Sequence, residues 1–246
     1  VTRTAGAQIG CQRPSRFWGL GCPKIYHEAE DTLERPELFQ ILLLYFPLAF
    51  LGLGGLLILQ FQTVTGGLLF TAAWLYLLPP ITCRITLALF GRPLTRDSTP
   101  QDRSFRVWWF LTQLQMPFNR IGLLEELLRL VPGLYGSWLT LWGSQVSPFS
   151  FWARDILISE RYLLTVEKGA VIASQCGLAG HVVTLDESGN HHLQVVPIVI
   201  EYGAMLGIRS GLGPGCKVAA GEMLPAGRML PPFTCWKDGR KHKYAG

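Results

Sequence analysis

The stretch IEYGAMLGIRSGLGPGCKVAAGEMLPAG, residues 200–227, has no long apolar run and no alternation of apolar and polar residues. It is rich in glycine and alanine, the texture of a loop. Yet an aliphatic residue returns at every sixth position: Ile200, Leu206, Leu212, Val218 and Leu224. The next residue in each case is Glu201, Gly207, Gly213, Ala219 or Pro225, mostly small, and Gly203, Gly215, Gly221 and Gly227 stand three places after four of the five. Upstream, Val166, Ile172 and Leu178 keep the same spacing and are followed by Glu167, Ala173 and Ala179. Residues 184–199 separate the two runs.

A period of six belongs to neither a helix nor a simple hairpin. A fixed repeat of short units marks a solenoid, in which each unit buries its apolar position only by stacking on its neighbours. Three hexads close one triangular turn of a parallel β-helix. The aliphatic residue points into the prism, and the small residues and glycines let the chain turn at the corners. The eight clear hexads make just under three such turns, with weaker ones over residues 146–163.

Outside the repeat the composition is unusual. Of 246 residues, 49% are hydrophobic and 16% charged, against about a quarter charged in an ordinary soluble domain. The deficit is local, because no charged residue lies between Glu37 and Arg84. Two apolar stretches fill that gap, residues 41–59 and 66–83, joined by the short uncharged link 60–65. Each is close to the roughly 20 apolar residues that span a bilayer, so a transmembrane helical hairpin over 38–90 is expected. A buried helix pair in a soluble core is the alternative. Arg3, Arg13, Arg16, Lys24 and Arg35 precede the pair, and Arg84, Arg92, Arg96, Arg103 and Arg106 come after it, while the link has no cation. The positive-inside tendency then places both ends, and the rest of the chain, on the cytoplasmic or an equivalent side. The pair is no cleavable signal peptide, as it starts some forty residues in. The chain opens at Val1 rather than Met, as a processed or excised polypeptide would.

The remaining organisation comes from texture. Residues 1–37 form a polar N-terminal segment. Residues 91–145 hold a turn-rich loop and amphipathic helices, one of which, SFRVWWFLTQLQMPF, suits either the bilayer interface or a face packed on the next domain. Residues 146–230 are the β-helix and 231–246 a basic tail. The net charge of +5 gathers beside the apolar pair and in that tail. Anionic membrane lipids account for it more simply than nucleic acid, for which no binding motif is present. Cysteines 11, 22, 83, 176, 216 and 235 have no paired or zinc-type spacing, which suits reduced thiols in a reducing compartment.

The hexads resemble those of the left-handed β-helix, hexapeptide-repeat acyltransferases. The likeness is strongest to membrane-linked domains of this kind at the C-terminus of poly-lysine-synthetase-type peptide synthetases. It spans about residues 125–230 and includes the lead-in PGLYGSWLTLWGSQV (132–146), the segment SERYLL (159–164), with Tyr162 where that family usually has Asp, and LAGH (178–181). The resemblance implies an α + β chain: a two-helix transmembrane hairpin and amphipathic helices, then a left-handed parallel β-helix. It implies transfer of an acyl group from an acyl-CoA or acyl-carrier thioester to a hydroxyl or amine; the membrane location expected from the apolar pair points to a lipid-linked or amphiphilic acceptor. His181 is the implied general base, a role that suits an imidazole titrating near neutrality. His191 and His192 are weaker candidates and Asp186 a possible orienting group. Gly207, Gly213 and Ala219 are the candidate donor groove. A groove between neighbouring prisms implies a homotrimer.

A related zinc-binding branch of the fold needs three histidines on a spacing that His181, His191 and His192 lack, so no metal is expected. Glu222 in a slot reserved for small residues, and the ending LPAGRMLPPFTCW, depart from the family pattern. They keep a second reading open: a catalytically inactive β-helix serving as an assembly subunit of a larger membrane complex.

Overall fold

The computed structural model describes residues 38–186 and 189–244. The N-terminal segment 1–37, with Cys11, Cys22 and His27, lies outside the described residues. The apolar region forms helices α1 (Leu38–Leu44), α2 (Phe46–Ile58), α3 (Val64–Tyr76) and α4 (Leu78–Phe90). α1 and α2 meet at a bend of 43°, beside Pro47, which cannot donate a backbone hydrogen bond to the preceding turn. Thr63 starts α3, its hydroxyl accepting the Gly66 amide at 3.1 Å. α3 runs on through Leu77 into α4, whose first turn tolerates Pro79 and Pro80. Together they make one 27-residue helix, Val64–Phe90, long and apolar enough to cross a membrane. The other arm reaches that length only if the bent pair is counted as one span. The arms pack through the stacked rings of Phe50 and Trp74, 5.2 Å apart, with the indole N–H donating to the Phe50 carbonyl.

Strand β1 (Thr95–Ser98) leads to α5 (Arg103–Arg120), α6 (Leu123–Arg129) and α7 (Leu134–Trp142). α5 is the helix for which the sequence allowed two places. Trp108, Leu111, Leu114 and Phe118 are buried in the same core as the repeat, so this face packs on the next layer. α7 lies on the first turn of the prism, where Tyr135 meets Trp152 edge-on at 5.3 Å.

From Gln145 onward the chain is a stack of three parallel sheets. One holds β2 (Gln145–Val146), β5 (Leu164–Val166), β10 (Ile198–Ile200), β13 (Lys217–Val218) and β16 (Thr234–Lys237). The second holds β3 (Phe151–Trp152), β6 (Val171–Ile172), β11 (Met205–Leu206) and β14 (Met223–Leu224). The third holds β4 (Leu157–Ile158), β7 (Gly177–Leu178), β12 (Gly211–Leu212) and β15 (Met229–Leu230). Each turn of chain gives one short strand to each sheet, which makes a triangular prism. The pairing is in register, as in Leu206 with Ile172 and Leu224. Three buried columns result: Val146–Val166–Ile200–Val218–Trp236, Trp152–Ile172–Leu206–Leu224 and Ile158–Leu178–Leu212–Leu230. The repeat therefore extends beyond the eight clear hexads at both ends. Residues 231–246, expected as a tail, contain β16 and the hairpin strand β17 (Arg240–Lys243), which pairs antiparallel with it.

Corner geometry is just as regular. The third residue after a buried column position has positive φ at Asp155, Gly169, Gln175, Gly203, Arg209, Gly215, Gly221, Gly227 and Phe233. Arg209 occupies this corner position with φ 57°. Small residues beside the columns allow the turns to stack: a Cβ on Gly207 would lie 2.4 Å from the Ala226 backbone nitrogen of the next turn.

Candidate functional site

Two irregularities interrupt the six-residue clock, and both fall at the corner between the third and first sheets. In the first turn, Val166 comes eight places after Ile158 rather than six. The surplus builds a bulged corner containing Glu160, Arg161 and Tyr162. In the second turn, the chain reaches His181, three places after Leu178, and does not turn. It runs outward as β8 (His181–Leu185) and returns as β9 (His191–Val195), an antiparallel hairpin in which His181 pairs with Val195. The Val196 amide donates to the Gly180 carbonyl at 2.9 Å and closes the excursion. β1 adds to the outer edge of β9. Because the turns are stacked, the bulge of one turn lies against the base of the hairpin in the next.

The contact between them is a carboxylate–imidazole pair. Glu160 is buried, with its side chain 1% exposed, and one oxygen lies 2.5 Å from His181 Nδ1. The same Oε1 accepts the Trp108 indole N–H at 3.2 Å, and Oε2 accepts the Gly180 amide at 2.7 Å. Gly180 permits this approach, since a Cβ there would stand 3.2 Å from Oε2. In its Nδ1–H tautomer His181 donates to Glu160 and keeps the Nε2 lone pair as its remaining acceptor. The Trp108 ring lies 4.9 Å from the imidazole and fixes its plane. The His181 side chain is 28% exposed and open to a reactant.

The other expected residues lie elsewhere. His192 is on the hairpin beyond its base, opposite Thr184, about 10 Å along the strand from His181 at the usual rise. Its Nδ1 pairs with Asp97 on β1 and its Nε2 with Asp186 at 3.1 Å. These hydrogen bonds, that to Asp97 foremost, raise its pKa above the ordinary imidazole value. Asp186 does orient an imidazole, but that of His192 rather than His181. His191 is half-buried opposite Leu185. Gly207, Gly213 and Ala219 come after β11, β12 and β13, one at each corner of the prism, so a single chain does not gather them into one groove.

Glu160 was not singled out by its neighbours in sequence, and the signal that points to it is the slip in hexad phase. Tyr162, where the resemblance looks for Asp, is fully buried with its hydroxyl unpartnered. Burial, and then the Glu160 charge, push its phenol well above the ordinary value, so it stays neutral. Arg161, buried to 1% exposure, turns the other way and meets Glu125 of α6 at 2.6 Å. Glu125 also pairs with Arg129 at 3.0 Å. This ion triad and the Ser144 hydroxyl, which donates to the Arg161 carbonyl at 2.6 Å, hold the bulge to the helical layer.

No protein-family model matches the chain, and no curated protein matches it. Among solved structures it is similar to an N-acyltransferase from Bacillus cereus crystallised with dTDP and coenzyme A, at 13% identity over 42% of this chain and 70% of that one, TM-score 0.29. A hexapeptide-repeat acetyltransferase from Vibrio cholerae aligns at 12% identity over 52% of this chain and 89% of that one, TM-score 0.31. The serine acetyltransferase of Neisseria gonorrhoeae aligns at 12% identity over 90% and 84%, TM-score 0.20. Likenesses at such scores establish no shared activity, and the prism stands on its own strand pairing.

Proposed function

We propose that this chain is an acyltransferase that moves an acyl group from a coenzyme A or carrier thioester to the hydroxyl or amine of an amphiphilic acceptor, with His181 as general base. The observation that carries the reading is the Glu160–His181 pair, held where both breaks in the repeat coincide. His181 Nε2 takes the proton of the acceptor as its oxygen or nitrogen attacks the thioester carbonyl carbon. The tetrahedral intermediate then collapses, the carbon–sulfur bond breaks, and the imidazolium returns its proton to the departing thiolate. An ester or amide and a free thiol result. Glu160 holds the Nδ1–H tautomer and offsets the transient imidazolium charge.

The helix Val64–Phe90 would anchor the chain in a membrane, with the prism on the side of the flanking arginines. That location motivates an amphiphilic acceptor. The resemblance to left-handed hexapeptide-repeat enzymes further suggests a homotrimer, with the donor's pantetheine arm between prisms.

The test is thiol release from an acyl-CoA series by the detergent-purified chain, with a membrane lipid extract as acceptor. His181→Asn is expected to lower the rate by about 10²–10⁴-fold while binding of coenzyme A persists. A wild-type rate matched by the variant would remove His181 from the chemistry. Failure of the wild type to bind coenzyme A would favour the assembly-subunit reading instead.

A further inference from the structure

A cleft of about 490 Å³ opens between α1, α4 and α5, on the far side of α5 from Trp108. That volume lies within the roughly 300–1,000 Å³ typical of small-molecule sites. Its walls are Phe39, Phe90, Val107 and Phe110. The hydroxyl of Thr86, which also lines it, is already donated to the Thr82 carbonyl at 2.8 Å. The interior thus offers water almost none of the two to four polar partners an ordered water needs, and it favours hydrocarbon. Two exposed guanidiniums, Arg103 and Arg106, complete the lining. Arg103 lies over the Phe90 ring, 5.4 Å from its centroid, which leaves its N–H edge for a further acceptor. Phe90 ends the 27-residue apolar helix, and Leu89 and Phe90 are both largely exposed beside the cleft. An apolar slot, a cationic mouth and a position at the end of the apolar helix match one kind of ligand.

We propose that this cleft binds an anionic phospholipid, with an acyl chain between Phe39, Val107 and Phe110 and the phosphate at Arg103. An arginine fork pairs with a phosphate through two parallel charge-assisted hydrogen bonds, which a zwitterionic lipid satisfies less well because its own ammonium competes. The site stands whether or not His181 performs chemistry, since it lies across α5 from the imidazole.

Native mass spectrometry of the full chain in a maltoside detergent provides the test, with phosphatidylglycerol, phosphatidylcholine and oleate as probes. Phosphatidylglycerol is expected to bind about tenfold more tightly than phosphatidylcholine, and Arg103→Gln to erase that preference. Val107→Trp, which fills the slot, is expected to weaken both phospholipids about tenfold. Thr86→Met on the opposite wall is read in the same way if Val107→Trp does not fold. Equal binding of the two phospholipids, or a preference untouched by Arg103→Gln, overturns the phosphate site. Binding unchanged by the slot-filling variants overturns the chain site. Oleate that displaces phosphatidylglycerol with the same dependence on Arg103 would assign the cleft to free fatty acids instead.

Discussion

At Glu160 a single carboxylate meets three parts of the fold: it accepts from Trp108 on α5 and from the Gly180 amide at the end of the second turn, and it pairs with the His181 ring. A buried carboxylate is costly to desolvate unless it is hydrogen-bonded, and these three contacts offset that cost. Glu160→Gln keeps the shape but turns an N–H₂ toward at least one N–H donor, and it no longer enforces the Nδ1–H tautomer. Acyl transfer is expected to fall by about 10²–10⁴-fold, while stability drops only by the roughly 1–3 kcal/mol of one unsatisfied buried donor. Parallel measurement of rate and thermal unfolding checks this, since matched losses in both would make Glu160 structural only. Tyr162 has no comparable role, because its raised pKa and enclosed hydroxyl keep it from proton exchange.

The β8–β9 hairpin is an element added to the prism, and its outer part is tied to β1 through His192 between Asp97 and Asp186. The His192 pKa is raised in the folded chain. Its contribution is therefore fully present below the unfolded imidazole value of about 6.5 and is lost as pH rises through the folded value. Hydrogen exchange at the β1 and β9 amides is expected to show more protection in the wild type than in His192→Gln at about pH 5–6, with the two converging at alkaline pH. A difference that grows with pH would contradict the sign. The location of this hairpin was legible as a gap between two runs of hexads, and His181 at its base was legible too. The partner of His181 was not, because a phase slip of two residues near 158–166 looks like loss of the repeat rather than a built corner.

Across the whole molecule, the helical layer and the prism share one core, joined by the triad Arg161–Glu125–Arg129. Arg161 depends on this carboxylate, whereas Arg129 keeps Glu126, and removing one member of a buried ion pair strands its partner. Glu125→Ala is expected to destabilise the chain by about 3–5 kcal/mol, read as a shift in the denaturant midpoint, with the Glu160 corner loosened through Arg161. A negligible shift would show that the aromatic contacts around Trp138 and Trp142 suffice.

The prism was written into the order of residues alone, because a hexad is a local instruction. Each aliphatic residue turns inward wherever it stands, and stacking results from repetition, as the columns through Leu206 and Leu212 show. The uncharged run likewise marked residues 66–83 as close to bilayer-spanning length, and the helix Val64–Phe90 contains them. Packing in three dimensions chose which acid meets His181, where the α5 tryptophans lie, and that Asp186 serves His192. The Glu160 contacts join residues at least 20 positions apart: Gly180 at 20, His181 at 21 and Trp108 at 52. They depend on the register of one turn on the next and on a helix whose amphipathic pattern left its partner open. Composition and periodicity describe what each segment buries, and the charged pairs form only after the segments have stacked.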